Sequence, residues 1–210
     1  MIPLSSLAVF FAAALGLLLV PGPAVIYIVT RSVSHGRKAG LASVLGIELA
    51  SLCHSAAAAL GLSAILLASP LVFSLVKYLG AGYLAYLGIR AIFSKEEAPE
   101  SEDGEAPSLA GLFRRGFVVN LLNPKTALFF YAFLPQFVDP GRGSAVVQIL
   151  ILGAVFVTLA TITDGTYALV SSGVGRILLG GAGFRRVQRY VTGSIYLALG
   201  VMAAITGSAP

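Results

Sequence analysis

The run AVFFAAALGLLLVPGPAVIYIV, Ala8 to Val29, carries no charged side chain across 22 residues. A helix of about 20 such residues covers the hydrocarbon core of a bilayer. Apolar stretches of similar length recur along the 210 residues, so the chain reads as an all-α polytopic membrane protein. Composition agrees, with 57% hydrophobic and only 11% charged residues, against roughly 25% charged in soluble domains. The first run is also too long for the roughly 7 to 15 residue core of a signal peptide and lacks a preceding Lys or Arg. It is expected to stay as the first span.

Six spans follow from hydropathy: Leu4–Thr30, Ala39–Ala68, Pro70–Phe93, Leu112–Phe137, Ala145–Ser172 and Val187–Thr206. One long connector, SKEEAPESEDGEAPS, holds six carboxylates and two prolines and reads as a solvated linker. The expected organisation is a three-helix repeat over 1–93, an acidic flexible cytoplasmic linker over 94–110, and a second three-helix repeat over 111–210, together one transport domain. The segment KYLGAGYLAYLGI, Lys77 to Ile89, aligns without gaps on RYVTGSIYLALGV, Arg189 to Val201. With three spans per half, the repeats would be inverted relative to each other, as in many secondary transporters.

Basic residues set the orientation, because Lys and Arg are retained on the cytoplasmic side. Eleven of the 14 fall in or beside the first, third and fifth connectors, including Arg31, Arg37, Lys38, Arg114, Arg115, Arg176 and Arg185. Both termini are therefore expected outside and the acidic linker inside. The +5 net charge forms no continuous basic stripe, which argues against nucleic acid as a partner. A single cysteine, Cys53, excludes an intrachain disulfide and a cysteine metal cluster.

Two spans carry internal breaks. Pro21 and Pro23 flank Gly22 in the first, and Pro124 follows Asn123 in the fourth. Each proline lacks an N–H, so the carbonyls of Leu17, Leu19 and Asn120 lose their helical donors. Such groups are tolerated in a membrane only when buried in protein or lining a wet cavity. Three ionisable residues, Glu48, Lys125 and Asp164, lie about 9 to 12 residues inside the nearest basic cluster, about 14 to 18 Å deep at 1.5 Å per residue. An intramembrane charge costs about 2.5 to 3.5 kcal/mol and faces a bundle interior or a water path. One shared depth implies one site. Glu48 with Ser51 and Ser55, and Thr161 with Asp164, Ala168 and Ser171, form polar or small strips at helical spacing. His54, six residues past Glu48, reads as a packed, hydrogen-bonded side chain, and His35 as a solvated one.

PGPAVIYIVTRSVSHGRKAGLASVLGIELA, YLGAGYLAYLGIRAIFS and FRRGFVVNLLNPKTALFFYAFLPQFV together resemble the LysE/RhtB family of amino-acid exporters, closer to its RhtB-like branch. That resemblance implies a multi-pass protein of the bacterial inner membrane that expels amino acids, neutral ones such as threonine, homoserine or leucine, or their derivatives, on the proton gradient. It implies a substrate path near Pro21, Gly22, Pro23, Asn123, Pro124 and Lys125, with Glu48 as the family's acidic position and Asp164 as its counterpart. Ser51 and Thr161 join the expected lining.

A complementary cation and anion are what an amino-acid zwitterion requires. Lys125 is assigned to the carboxylate, Glu48 or Asp164 to the ammonium, and the remaining acid to the coupling proton, with sodium as the alternative ion. No cofactor, bound metal or catalytic residue is expected, and small-residue faces leave room for a homodimer in the lipid bilayer. A divalent-metal exporter is the rival reading, and an intramembrane hydrolase or a scaffold subunit the more distant ones. Alkaline phosphatase, active only outside the cytoplasm, should be active when fused to either terminus and silent when inserted within residues 94–107. The reverse pattern overturns the orientation.

Overall fold

The computed structural model describes residues 2–62, 70–93, 108–178 and 182–205. The expected flexible linker over 94–107 and the end of the second span over 63–68 lie outside the described residues. Helix α1, Leu4–Leu19, stops where Pro21 and Pro23 remove donors, and the chain passes through extended backbone at Val20 and Gly22. Pro23, whose missing N–H costs nothing in a first turn, opens α2, Pro23–His35. Only Gly36 separates α2 from α3, Arg37–Ala57, and its φ of 81° explains the glycine. Helix α3 runs on through a π turn, Ala58–Leu62.

After α4, Pro70–Phe93, helix α5, Leu109–Leu121, begins under a cap in which Ser108 Oγ accepts from Gly111 N at 3.1 Å. That cap draws Leu109 and Ala110, assigned to the linker from sequence, into the helix. Asn123 is extended, and its Oδ1 accepts from Lys125 N at 3.1 Å to start α6, Pro124–Leu128. A π turn, Phe129–Phe133, and a 3-10 turn, Leu134–Phe137, complete that arm. Helices α7, Ala145–Leu178, and α8, Ala182–Ile205, follow.

A helix thus stands at each of the six expected span positions, and the first and fourth are broken at the prolines. Among the described residues, two helices and the two bent pairs, α1–α2 and α5–α6 with its turns, are long and apolar enough to cross a bilayer. Both pairs bend by 50°.

Helix α3 is the central post, packed on α2, α5 and α7. It runs antiparallel to α7: Arg37 Nε donates to Ser172 Oγ at 3.0 Å at one end, and Gly153 abuts Ser55 at the other. Against α5 the backbones nearly touch, since a Cβ on Gly46 would lie 2.0 Å from Phe113 O and one on Gly116 2.6 Å from Ser43 O. Close approach of this kind gives membrane helices the van der Waals contact that drives their association. Helices α4 and α8 also pack antiparallel, with Gly88 facing Gly193 and Gly200 facing Ala81. The matched segments at 77–89 and 189–201 lie on these two helices, although the side chains of Lys77 and Arg189 are outside the described residues.

Replacing Gly46 with Val drives a branched side chain into a backbone carbonyl, and should destabilise the fold by about 2 kcal/mol. Heating detergent-solubilised protein before size-exclusion chromatography would show it. Gly82→Ala, which meets nothing within 4 Å, should leave the profile unchanged.

Candidate functional site

Glu48, Lys125 and Asp164 are all buried, at 6%, 7% and 4% exposure, and line one cavity of about 30 Å³. The cavity lies between the two helix breaks. Gly22 comes from the first break and Asn123, Lys125 and Thr126 from the second, while Glu48, Ser51 and Asp164 come from the α3–α7 contact. Of the residues expected from sequence, Gly22, Glu48, Ser51, Asn123, Lys125 and Asp164 are brought together here.

Four are not. Pro21, Pro23 and Pro124 shape the breaks but do not line the cavity, and Pro23 and Pro124 are exposed on the outer side of their elbows. Thr161 is also exposed, with its hydroxyl donating to Val157 O at 2.8 Å. At 3.6 residues per turn, the strip that passes through Asp164 continues at Ala160, four residues back, and leaves Thr161 to one side. Ala160 lines the cavity instead.

The carbonyls freed by proline each have a donor. Leu17 O accepts from Val20 N at 3.1 Å, Leu19 O from the Tyr167 hydroxyl at 3.1 Å, and Asn120 O from Asn123 N at 3.1 Å and His54 Nε2 at 3.3 Å. The Lys125 ammonium donates to Val20 O, the extended residue between α1 and α2. A charged donor on a buried carbonyl makes one of the stronger hydrogen bonds available. Lys125 therefore ties the fourth span to the break in the first.

Asn120 is the hub that sequence reasoning missed. Its Nδ2 donates to Ile47 O at 2.8 Å and Ser51 Oγ at 2.9 Å, and its Oδ1 accepts from Thr126 Oγ1 at 2.8 Å and Asn123 Nδ2 at 3.3 Å. Every hydrogen-bonding site of the amide is engaged. The signal available was its place one turn before Pro124, but the partners on α3 are some 70 residues away in sequence.

The carboxyl groups are arranged differently. Glu48 and Asp164 line the same small cavity, and both Glu48 oxygens and Asp164 Oδ1 are buried without a hydrogen-bond partner. Two carboxylates can only accept, so neither can satisfy the other unless a proton or a cationic group sits between them. The two carboxyl groups thus share a cavity with a lysine already engaged with backbone.

Arg31, counted from sequence among the basic residues of the first connector, lies within α2. It is 7% exposed, with its guanidinium carbon 5.1 Å from the centre of the Tyr27 ring. His35 is partly buried, with Nδ1 shielded. His54 is buried as expected, its ring stacked on Phe130 and both nitrogens in hydrogen-bonding contact.

Residues 15–207 match the profile of the LysE type translocator family. A Vibrio cholerae "uncharacterized membrane protein" is 30% identical over 186 residues, covering 89% of this chain and 90% of its own. A Pseudomonas aeruginosa protein of similar description is 35% identical over 84% of this chain and 82% of its own. The homoserine/homoserine lactone efflux protein of Salmonella typhimurium is 29% identical over 88% of each chain. No solved structure gave a significant match. The chain belongs to the LysE type translocator family, and is accordingly a multi-pass membrane transport protein and not an enzyme.

Proposed function

We propose that this protein exports a small neutral amino acid or a close derivative from the cytoplasm across the bacterial inner membrane, coupled to proton entry. The supporting observation is the convergence of Glu48, Lys125 and Asp164 on one buried cavity between two broken helices. Relatives whose names specify homoserine and its lactone point to the same substrate size. The ammonium of the substrate replaces the shared proton between Glu48 and Asp164, and its carboxylate takes a free N–H of Lys125. Proton return to the carboxyl pair from outside then displaces the product. Exchange of this kind works because an anionic pair in low dielectric holds one positive charge at a time.

In the described state the cavity is too small for a substrate. A cavity of about 30 Å³ holds two or three waters by the usual measure of roughly 10 to 15 Å³ each, well short of an amino acid. Substrate entry requires one of the elbows to move, which fits alternating access between two halves.

Inside-out vesicles with an acidic interior should accumulate labelled homoserine or threonine, and a protonophore should abolish the accumulation. Glu48→Gln and Asp164→Asn should each reduce gradient-driven uptake by about tenfold, the loss of one charge-assisted contact. Full coupled uptake by both variants would falsify the carboxyl assignment. A sodium gradient driving uptake without a proton gradient would reassign the coupling ion.

Lys125→Gln separates the two ends of the substrate. It should weaken competition by homoserine about tenfold, the worth of a charge-assisted hydrogen bond, and affect homoserine lactone, which has no carboxylate, far less. Equal losses for both compounds would remove Lys125 from carboxylate recognition and leave it as a structural tie.

A further inference from the structure

The elbows of the two broken spans are each held by a side chain from the opposite half of the sequence. Pro23 deprives Leu19 O of its helical donor, and Tyr167 on α7 supplies a hydroxyl at 3.1 Å. Pro124 does the same to Asn120 O, and His54 on α3 supplies Nε2 at 3.3 Å, alongside Asn123 N. A carbonyl only accepts, so Nε2 carries the hydrogen and Nδ1 accepts the Tyr131 hydroxyl at 3.0 Å.

The two ties lie on opposite sides of the carboxyl pair. Helices α3 and α7 are antiparallel, so Tyr167, three residues beyond Asp164, lies about 4.5 Å toward the end where Arg37 meets Ser172. His54, six residues beyond Glu48, lies about 9 Å toward the end where Ser55 meets Gly153. Each tie also packs within an apolar cluster on its own side of the cavity. Tyr167 packs on a thin cluster of Ala24, Ile28, Val44, Ile47 and Ala168. His54 stacks on Phe130 at 6.0 Å between ring centres, within a phenylalanine plug whose Phe129 and Phe156 rings are 4.4 Å apart. Phe156 lines the cavity from that side.

We propose that Tyr167 and His54 are positioning residues that latch opposite gates. Release of the Tyr167 bond frees the α1–α2 elbow and opens the cavity toward the Arg37–Ser172 end. Release of the His54 bond loosens the α5–α6 elbow, which the Asn120 amide and Lys125 still tether, and favours opening toward the other end. Alternation follows because each latch holds the broken helix of one half against the straight helix of the other. The proposal rests on the alternating-access reading above, but its test requires no substrate, so a wrong substrate class and a wrong latch give separate failures.

The test uses full-length protein with Cys53→Ala, which removes the sole native thiol, and Ala160→Cys as a reporter inside the cavity. A membrane-impermeant maleimide is applied to right-side-out and inside-out vesicles. A separate Ser34→Cys variant, exposed beside Gly36, identifies the face that bears the Arg37–Ser172 end. Tyr167→Phe should raise the reporter's labelling rate about fivefold from that face alone, as loss of one hydrogen bond of ordinary strength implies. His54→Leu should raise it from the opposite face alone, and His54→Gln, whose amide still donates, should stay near the parent rate. Increases at both faces, at the same face for both variants, or at neither would overturn the latches. Should His54→Leu fail to reach the membrane, Tyr167→Phe, which deletes one oxygen, decides by itself: an unchanged or two-sided rate rejects the proposal.

Discussion

The structure depends on one constraint: a backbone carbonyl freed inside hydrocarbon must find a donor, because no bulk water reaches it. Pro21, Pro23 and Pro124 free three carbonyls, and the extended residue Val20 presents a fourth. Local turns answer for Leu17 O and part of Asn120 O. The remainder are answered from a distance, by Tyr167, Lys125 and His54. These three side chains join segments more than 60 residues apart, so the helix breaks, which weaken two spans individually, are also what bind the two halves of the chain together.

The same low dielectric gives the cavity its chemical character. The Lys125 ammonium is held by a hydrogen bond to Val20 O, whereas Glu48 and Asp164 line the same cavity with three oxygens lacking donors. An unsatisfied carboxylate is among the most costly groups to bury, which makes the pair a strong attractor for a proton or an ammonium. Around it every hydrogen-bonding site of the Asn120 amide is filled, whereas those of the carboxyls are not. Glycines at Gly46 and Gly116 let α3 and α5 approach closely enough for Asn120 to reach Ile47 O and Ser51.

Much of this was legible in sequence. The broken spans were visible in PGP and NPK because proline removes a donor wherever it stands, and the convergence of Glu48, Lys125 and Asp164 was visible because depth follows from counting residues at fixed rise. Thr161 was assigned to the wrong face, since spacing of three residues from Asp164 tolerates either side of a narrow strip and only the neighbouring helices choose between them. His35 was expected in water, but the last turn of α2 leaves it partly buried with Nδ1 shielded. Asn120 escaped notice because an asparagine in an apolar span has no distinctive local pattern; its importance comes from four partners, two of them on another helix.

By itself the sequence determined that this is a polytopic helical membrane protein, where its first and fourth spans break, and which three charges share a depth. Those properties depend on residue type, count and the fixed rise of a helix, all of which are local. Tertiary structure decided which face of each helix meets the cavity, which donors answer the freed carbonyls, and that Lys125 is tied to backbone while the carboxyl oxygens are left without donors. Those outcomes depend on how α3, α5 and α7 cross, and no local rule encodes the register of one helix against another distant in the chain.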